Sequence, residues 1–183
     1  MSEIFFANDD LAWSAQISSV DLPELRSLKI GAIVSLTENR PQLDDFPEME
    51  ILHLPLTGNV PELGQCRELF SFLRLMRRLG KKTLIYCSSG QDKSPTMVAS
   101  YLIYSGMSPE GAIDKIREVS PRALTEEGIK FLKELPLSWM RQDKDNMNFA
   151  SLIQLVKILR RRCPWDREQT HKSLQKNMIE EAW

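Results

Sequence analysis

The sequence predicts an α/β protein with a mostly parallel sheet flanked by helices, followed by a short all-α C-terminal segment. Apolar, β-branched runs at residues 30–36, 51–56 and 83–87 are typical of buried strands. Stretches of helical length separate and follow these runs, and strands that alternate with helices favour a parallel sheet. After Leu137 the character changes, because residues 141–148 are polar and lack periodicity.

The first long helix is predicted between the second and third strands, at about residues 61–79, and Gly80 ends it. Residues 96–104 are apolar nearly all round, which favours a buried helix behind the third strand. The inward face of the first helix is marked by apolar residues at helical spacing: Cys66, Leu69, Phe70, Leu73 and Met76.

Two later helices are predicted from their capping residues. Ser108 followed by Pro109 starts one helix, which runs to about Val119. Thr125 followed by two glutamates starts the next, which runs through Leu135.

Composition and charge limit the classes of function. The chain has 183 residues, a net charge of −1 and a hydrophobic fraction of 42%, which suits one ordinary domain plus a small segment. The charge gives no reason to expect nucleic acid or a membrane as a partner, and no apolar run could span a bilayer. The amino terminus is a poor signal peptide, and three irregularly spaced cysteines make no disulfide framework. We therefore expect a cytoplasmic protein.

A cysteine loop carries the strongest functional signal. Cys87 ends the third strand, a loop containing Gly90 follows, and then a helix begins. Loop amides and a helix N-terminus favour an anion such as phosphate, and the same field favours the thiolate of Cys87 as a nucleophile. The predicted phosphate-binding residues are Ser88, Ser89, Gly90, Gln91, Asp92 and Lys93.

Residues from about 30 to 135 resemble the cysteine-dependent phosphatases of the dual-specificity and tyrosine-phosphatase superfamily. The resemblance rests on Cys87-x-x-Gly90-x-x-Lys93-Ser94, supported by the segments 53–56 and 108–112. It implies that the cysteine attacks phosphorus, that an Arg grips two phosphoryl oxygens, that an Asp on another loop protonates the leaving oxygen, and that the hydroxyl of Ser94 assists the second step. The candidate catalytic residues are Cys87, Asp92, Lys93 and Ser94.

The sequence departs from the family pattern at three positions. Tyr86 replaces a His, Lys93 replaces the Arg, and residues 57–60 have no carboxylate where the acid belongs. A positioned general acid contributes about 10²–10⁴ in rate, and one transition-state donor about 10²–10³. We therefore expect impaired turnover.

Other polar residues leave alternatives open. Asp92 either helps to protonate the leaving group or points outward and receives loop hydrogen bonds, and the second interpretation is favoured. His53 and Tyr86 are expected to be structural, Cys66 to be a small core residue, and Trp13 to be a packing residue in an N-terminal strand segment.

The tail, residues 149–183, resembles the start of a MazG-type nucleotide pyrophosphohydrolase, after a linker at residues 138–148. That family implies an all-α, usually dimeric bundle whose carboxylates hold Mg²⁺. Here only Glu180 and Glu181 match the metal ligands, which makes a poor site, so no cofactor is expected. The apolar helix faces should dock on the first domain, residues 1–137, or self-associate. The matching segments are 163–166, 169–171, 173–174 and 180–182.

Three hypotheses follow from these patterns. The chain is a slow cysteine phosphatase, or a pseudophosphatase that holds a phosphorylated protein or small phosphoester without turnover, or the remnant of a phosphatase–MazG fusion that cleaved nucleoside triphosphates. The loss of both the Arg and the Asp favours the second hypothesis, whereas the retained Cys87, Gly90 and Ser94 keep the first one open.

Overall fold

A computed structural model describes residues 3–41, 46, 48–136, 149–170 and 172–173. The predicted linker at 138–148 lies outside the described residues, as do Glu180 and Glu181. None of the described helices is long and apolar enough to cross a membrane.

Five strands form one mixed sheet, which confirms the predicted fold class. They are β1 (Ile4–Phe6), β2 (Leu11–Ser14), β3 (Ile30–Ser35), β4 (Glu50–His53) and β5 (Lys82–Tyr86). The strand order is β1-β2-β5-β3-β4, and only β1 pairs antiparallel, at one edge. The carboxyl ends of β2, β3, β4 and β5 therefore meet at one edge of the sheet, and Cys87 follows β5 there.

The predicted strands are present, but their regular strand pairing ends before the apolar runs of the sequence do. The amide of Leu54 donates to the Ser35 carbonyl at 2.8 Å, and the amide of Leu56 donates to the Leu36 carbonyl at 3.1 Å. The chain after β4 thus stays extended and bonded to the end of β3, which brings Leu56 towards the cysteine loop. The sequence analysis did not predict β1 as a separate strand, and Trp13 is fully buried in β2.

The helices between residues 63 and 134 lie at or near their predicted positions, whereas the short helices at residues 22–27 and 164–168 were not predicted. Their bounds are α1 (Leu22–Ser27), α2 (Leu63–Arg78), α3 (Lys93–Tyr104), α4 (Pro109–Val119), α5 (Glu126–Glu134), α6 (Phe149–Arg162) and α7 (Pro164–Glu168). The hydroxyl oxygen of Ser108 accepts a hydrogen bond from the Gly111 amide at 3.1 Å, and that of Thr125 accepts from the Gly128 amide at 3.2 Å. Both predicted caps are confirmed. Helix α3 begins at Lys93 rather than at residue 96, so the cysteine loop opens directly into it.

The core covers both faces of the sheet. On one face, α2 and α3 bury the predicted inward residues Cys66, Leu69 and Met76 against the strands. On the other face, Leu25 of α1 packs with Ile33 and its neighbours. Fully burying one such aliphatic side chain contributes roughly 1.5–3 kcal/mol, so this packing holds the strand ends and their loops in place.

The C-terminal helix α6 packs against α2. Ile158 contacts the main core cluster, Lys157 lies 3.9 Å from Glu68, and Arg161 lies 3.9 Å from the buried carboxylate of Glu50. The exposed pair of Lys157 and Glu68 contributes little to stability, whereas Ile158 joins α6 to the main core cluster through an apolar contact. Several apolar residues of α6 and α7 remain exposed: Leu152, Ile153, Val156, Leu159 and Trp165.

Candidate active site

The Cys87 thiol lies at the carboxyl end of the central strand β5, and the residue is only 1% exposed. Its amide donates to the carbonyl oxygen of Ser14 at 3.4 Å. The sulfur lies 3.3 Å from the Ser94 hydroxyl oxygen, and the thiol donates to the Gln91 carbonyl oxygen at 3.4 Å. The predicted nucleophile and the predicted assisting hydroxyl are thus in contact.

Gly90 allows the loop to pass close to the end of β2. Its φ is +71°, and a Cβ built there would lie 2.5 Å from the Ala15 nitrogen and 2.9 Å from the Ser14 carbonyl carbon. Both the dihedral angle and the lack of space exclude a larger residue. The glycine of the sequence motif is therefore required by the backbone on both grounds.

Asp92 has a positive φ, which is uncommon for a residue other than glycine, with φ 60° and ψ −75°. The Lys93 amide donates to the Gln91 carbonyl at 2.8 Å, which closes a γ-turn around Asp92. Contacts from the loop between α4 and α5 hold this turn. The Asp92 amide donates to the Ala123 carbonyl at 2.7 Å, and the Thr125 hydroxyl donates to the Asp92 carboxylate at 2.6 Å.

The amides of the second half of the loop have partners within the protein. In addition to those of Asp92 and Lys93, the Gln91 amide donates to the Ser89 hydroxyl oxygen at 3.2 Å. The Gln91 carbonyl oxygen faces the sulfur of Cys87. A bound phosphate would meet this oxygen unless the peptide between Gln91 and Asp92 rotates, so anion binding by these three amides stays a prediction.

The ammonium of Lys93 donates a 2.7 Å hydrogen bond to the carbonyl oxygen of Leu56. That carbonyl belongs to the extended segment after β4, immediately before residues 57–60. The lysine ammonium is a point charge, whereas an arginine guanidinium is planar and can donate to two oxygens at once. One of the three donors of Lys93 is directed to the backbone.

A pocket of about 250 Å³ opens beside the sulfur. Of the predicted site residues, it brings together Cys87, Ser88 and Lys93, and Ser94 lies beneath the sulfur. Ser89, Gly90, Gln91 and Asp92 do not line this pocket. The remaining lining residues are Gln16, Leu36, Thr37, Glu38, Asn39 and Leu56.

A polar network braces the wall of the pocket opposite the cysteine loop. The Ser35 and Thr37 hydroxyl oxygens are 2.8 Å apart, the Thr37 hydroxyl donates to the Asn39 carbonyl at 3.0 Å, and the His53 Nε2 lies 2.9 Å from the Thr37 carbonyl oxygen. Burial raises the pKa of the Tyr86 phenol, and its hydrogen bonds with Ser35 and Thr37 oppose that shift. In the structure, His53 and Tyr86 support the wall.

Glu38 was not predicted from the sequence as a pocket residue. Its place depends on the pairing of β3 with β5, which are parallel neighbours whose carboxyl ends meet at one edge of the sheet. The loop after β3 carries Glu38, just as the loop after β5 carries Cys87. Both residues line the same pocket.

The described residues contain no group of three or more His, Cys, Asp or Glu side chains that could hold a metal ion. The two glutamates of the predicted metal site, Glu180 and Glu181, lie outside those residues.

Comparison with known proteins assigns the family. A family model described as the catalytic domain of dual specificity phosphatases matches residues 13–142. The chain belongs to the dual-specificity phosphatase family. The matched range contains the cysteine loop, helices α1 to α5 and most of the sheet of this phosphatase domain, and the predicted superfamily is confirmed.

Curated relatives of this dual-specificity phosphatase domain differ in the activities that their names state. Phosphatidylglycerophosphate phosphatase PTPMT2 of Arabidopsis thaliana is 30% identical over 112 residues, which are 57% of this chain and 49% of the relative. Tyrosine-protein phosphatase vhp-1 of Caenorhabditis elegans is 31% identical over 111 residues, 58% of this chain and 17% of the relative. The chain thus spans about half or less of these relatives.

A solved structure agrees with the phosphatase fold. The crystal structure of a mutant form of Tk-PTP superimposes with a TM-score of 0.66 at 30% identity, over 73% of this chain and 93% of that chain. The fold therefore follows the family, whereas the MazG resemblance of the tail stays a prediction.

Proposed function

We propose that the chain binds a phosphoester or phosphate at the Cys87 loop and turns it over slowly or not at all. The observation that carries this proposal is the hydrogen bond between the Lys93 ammonium and the Leu56 carbonyl. The residue that replaces the phosphate-gripping Arg keeps its positive charge beside the pocket, yet one of its donors is occupied by the backbone. Charge attraction for a phosphate remains, and bidentate contact with two phosphoryl oxygens is lost.

The covalent chemistry available to this site has two steps. In the first, the Cys87 thiolate attacks phosphorus, the bond to the ester oxygen breaks, and that oxygen leaves with the electron pair. In the second, water attacks the phosphocysteine, the sulfur–phosphorus bond breaks, and its electron pair returns to sulfur. The Ser94 hydroxyl, 3.3 Å from the sulfur, supports the departing thiolate by hydrogen bonding.

Neither of the two positions considered for the general acid, residues 57–60 and Asp92, offers a proton to the leaving oxygen in the described part of the chain. Residues 57–60 contain no carboxylate. The side-chain amide of Asn59 donates a hydrogen bond to the Glu127 carboxylate at 3.1 Å. Asp92 accepts from Thr125 and lines no part of the pocket. Without a positioned acid, an alkyl ester loses about 10²–10⁴ in rate. An aryl phosphate loses less because its leaving group needs little protonation.

The substrate class is proposed as a phosphorylated protein or a small phosphoester. The relatives include a protein named as a tyrosine-protein phosphatase and one named as a phosphatidylglycerophosphate phosphatase. A pocket of about 250 Å³ suits the phosphate and the first few atoms of its ester. Recognition beyond those atoms depends on the pocket walls.

Alkylation of Cys87 tests the binding proposal. Iodoacetate labelling, mapped by mass spectrometry at mildly acidic pH, should modify Cys87 before Cys66 and Cys163, and inorganic phosphate or vanadate should protect it. Cys163 serves as the internal control, since it lies on the C-terminal segment away from the pocket and phosphate should leave its labelling unchanged. Preferential labelling of Cys66 or Cys163, or no protection of Cys87, would overturn the proposal.

A further inference from the structure

An acidic residue, Glu38, lines a pocket that is expected to take an anion. Among the described residues that line the pocket with Cys87, only Glu38 and Lys93 have charged side chains. Lys93 is tied to the Leu56 carbonyl. A carboxylate at this position repels a phosphate dianion, so it bears on the choice of substrate.

The backbone around Glu38 is held in place. The preceding residue, Thr37, is bonded through its side chain to Ser35 and Asn39 and through its carbonyl to His53. These bonds fix both neighbours of Glu38 against the ends of β3 and β4. The backbone that bears the Glu38 side chain is therefore held by hydrogen bonds on both sides.

The Glu38 side chain has no partner among the described residues. Within the described part of the chain, its side chain makes no hydrogen bond or ion pair, and the residue is exposed. An exposed, unpaired glutamate contributes little to folding. Its carboxylate remains available to a ligand that enters the pocket.

We propose that Glu38 makes the site selective for phosphomonoesters that carry a cationic group close to the phosphate. The phosphate would lie against Cys87 and Lys93, and the cation would lie against the Glu38 carboxylate. The inference rests on the proposed function, because it assigns a substrate class to the same pocket. The cation is either an amine of a small molecule or a Lys or Arg side chain beside a phosphorylated residue.

Exposed ion pairs are weak, which sets the size of the effect. Typical exposed pairs correspond to a preference of about twofold to fivefold in binding. Because the pair is in contact with solvent, added salt should reduce the preference. A ligand with a second negative charge in place of the cation should bind more weakly than the neutral ligand.

Protection of Cys87 from iodoacetate gives a direct test with the intact chain. The half-protecting concentrations of 2-aminoethyl phosphate and ethyl phosphate are compared for the native chain, for Glu38→Gln and for the matched exposed control Glu118→Gln on α4. A second arm compares phosphotyrosine peptides with Lys or Ala next to the phosphorylated residue, which separates the two sources of the cation. Inorganic phosphate is measured in parallel.

The native chain and Glu118→Gln should favour the cationic ligand in at least one arm by about twofold to fivefold, and Glu38→Gln should lose that preference. The inference is overturned if the native chain shows no preference in either arm, or if Glu38→Gln keeps the preference. The proposed function still stands in those cases if inorganic phosphate protects Cys87. Failure of inorganic phosphate to protect the native Cys87 overturns both.

Discussion

The ammonium of Lys93 and the carbonyl oxygen of Leu56 are joined by a hydrogen bond of 2.7 Å. This contact links the first residue of α3 to the chain segment that leads into residues 57–60. It directs one of the donors of the Lys93 ammonium towards the backbone.

Replacing Lys93 with Arg should raise aryl phosphatase activity by at least about tenfold. One guanidinium nitrogen can keep the bond to Leu56 while the others reach two phosphoryl oxygens, which restores a bidentate contact in the transition state. Steady-state hydrolysis of an aryl phosphate checks this. Lys93→Gln, which removes the charge, should lower activity and serves as the opposite control. If neither substitution changes the rate, the loop does not perform catalysis and the binding-module hypothesis is favoured.

Replacing Gly90 with Ala should destabilise the domain and abolish phosphate protection of Cys87. The new Cβ would lie 2.5 Å from the Ala15 nitrogen at a φ of +71°, and such backbone strain costs about 1–3 kcal/mol. Urea denaturation and the alkylation assay measure the two effects. Gly64→Ala is the matched control, since nothing lies within 4 Å of its added Cβ, and it should stabilise α2 by about 0.4–1 kcal/mol. Equal stability of the two variants would contradict the account of the loop.

Stability at alkaline pH should depend on Cys66. Burial raises the pKa of this thiol from 9.0 to about 12, so the folded state favours the neutral form. The contribution of the neutral Cys66 thiol to the free energy of unfolding is fully present below the unfolded pKa of about 9. This contribution is lost as pH rises towards 12. Cys66→Ala should therefore show a smaller fall in urea midpoint between about pH 8 and pH 11 than the native chain does. Cys163→Ala should leave the fall unchanged, and an identical fall in all three proteins would refute the assignment.

Release of α6 should be separable from unfolding of the phosphatase domain. Ile158→Asp places a charge against the core and should expose α6 to proteolysis, while the thermal midpoint falls by only a few degrees. Val156→Asp, at an exposed position of the same helix, is the control and should have little effect on either measurement. Complete unfolding of Ile158→Asp would show that the tail is part of the cooperative core.

Much of the fold could be predicted from the sequence because its signals are local. Helical spacing identified the buried face of α2, from Cys66 to Met76, and capping chemistry placed the starts of α4 and α5 at Ser108 and Thr125. Strand β1 is short and partly exposed, so its three residues give little periodic signal.

The side-chain geometry of the site depends on contacts between distant segments. The partner of Lys93 is a carbonyl 37 positions away, and the partner of the Asp92 carboxylate is a hydroxyl 33 positions away. Such pairs follow from the packing of α3 against the strands and α5, and no spacing rule predicts them. The place of Glu38 follows from the pairing of β3 with β5, which the sequence analysis did not establish.

The central claim is that the Cys87 loop is a phosphate site with weakened catalysis, and the turnover of matched aryl and alkyl phosphates tests it most directly. The native chain should hydrolyse the aryl ester slowly and the alkyl ester at least about a hundredfold more slowly, because residues 57–60 supply no carboxylic acid for the leaving oxygen. Cys87→Ser should abolish the aryl activity. Aryl hydrolysis that survives in Cys87→Ser, or equal rates for the two esters in the native chain, would contradict the claim.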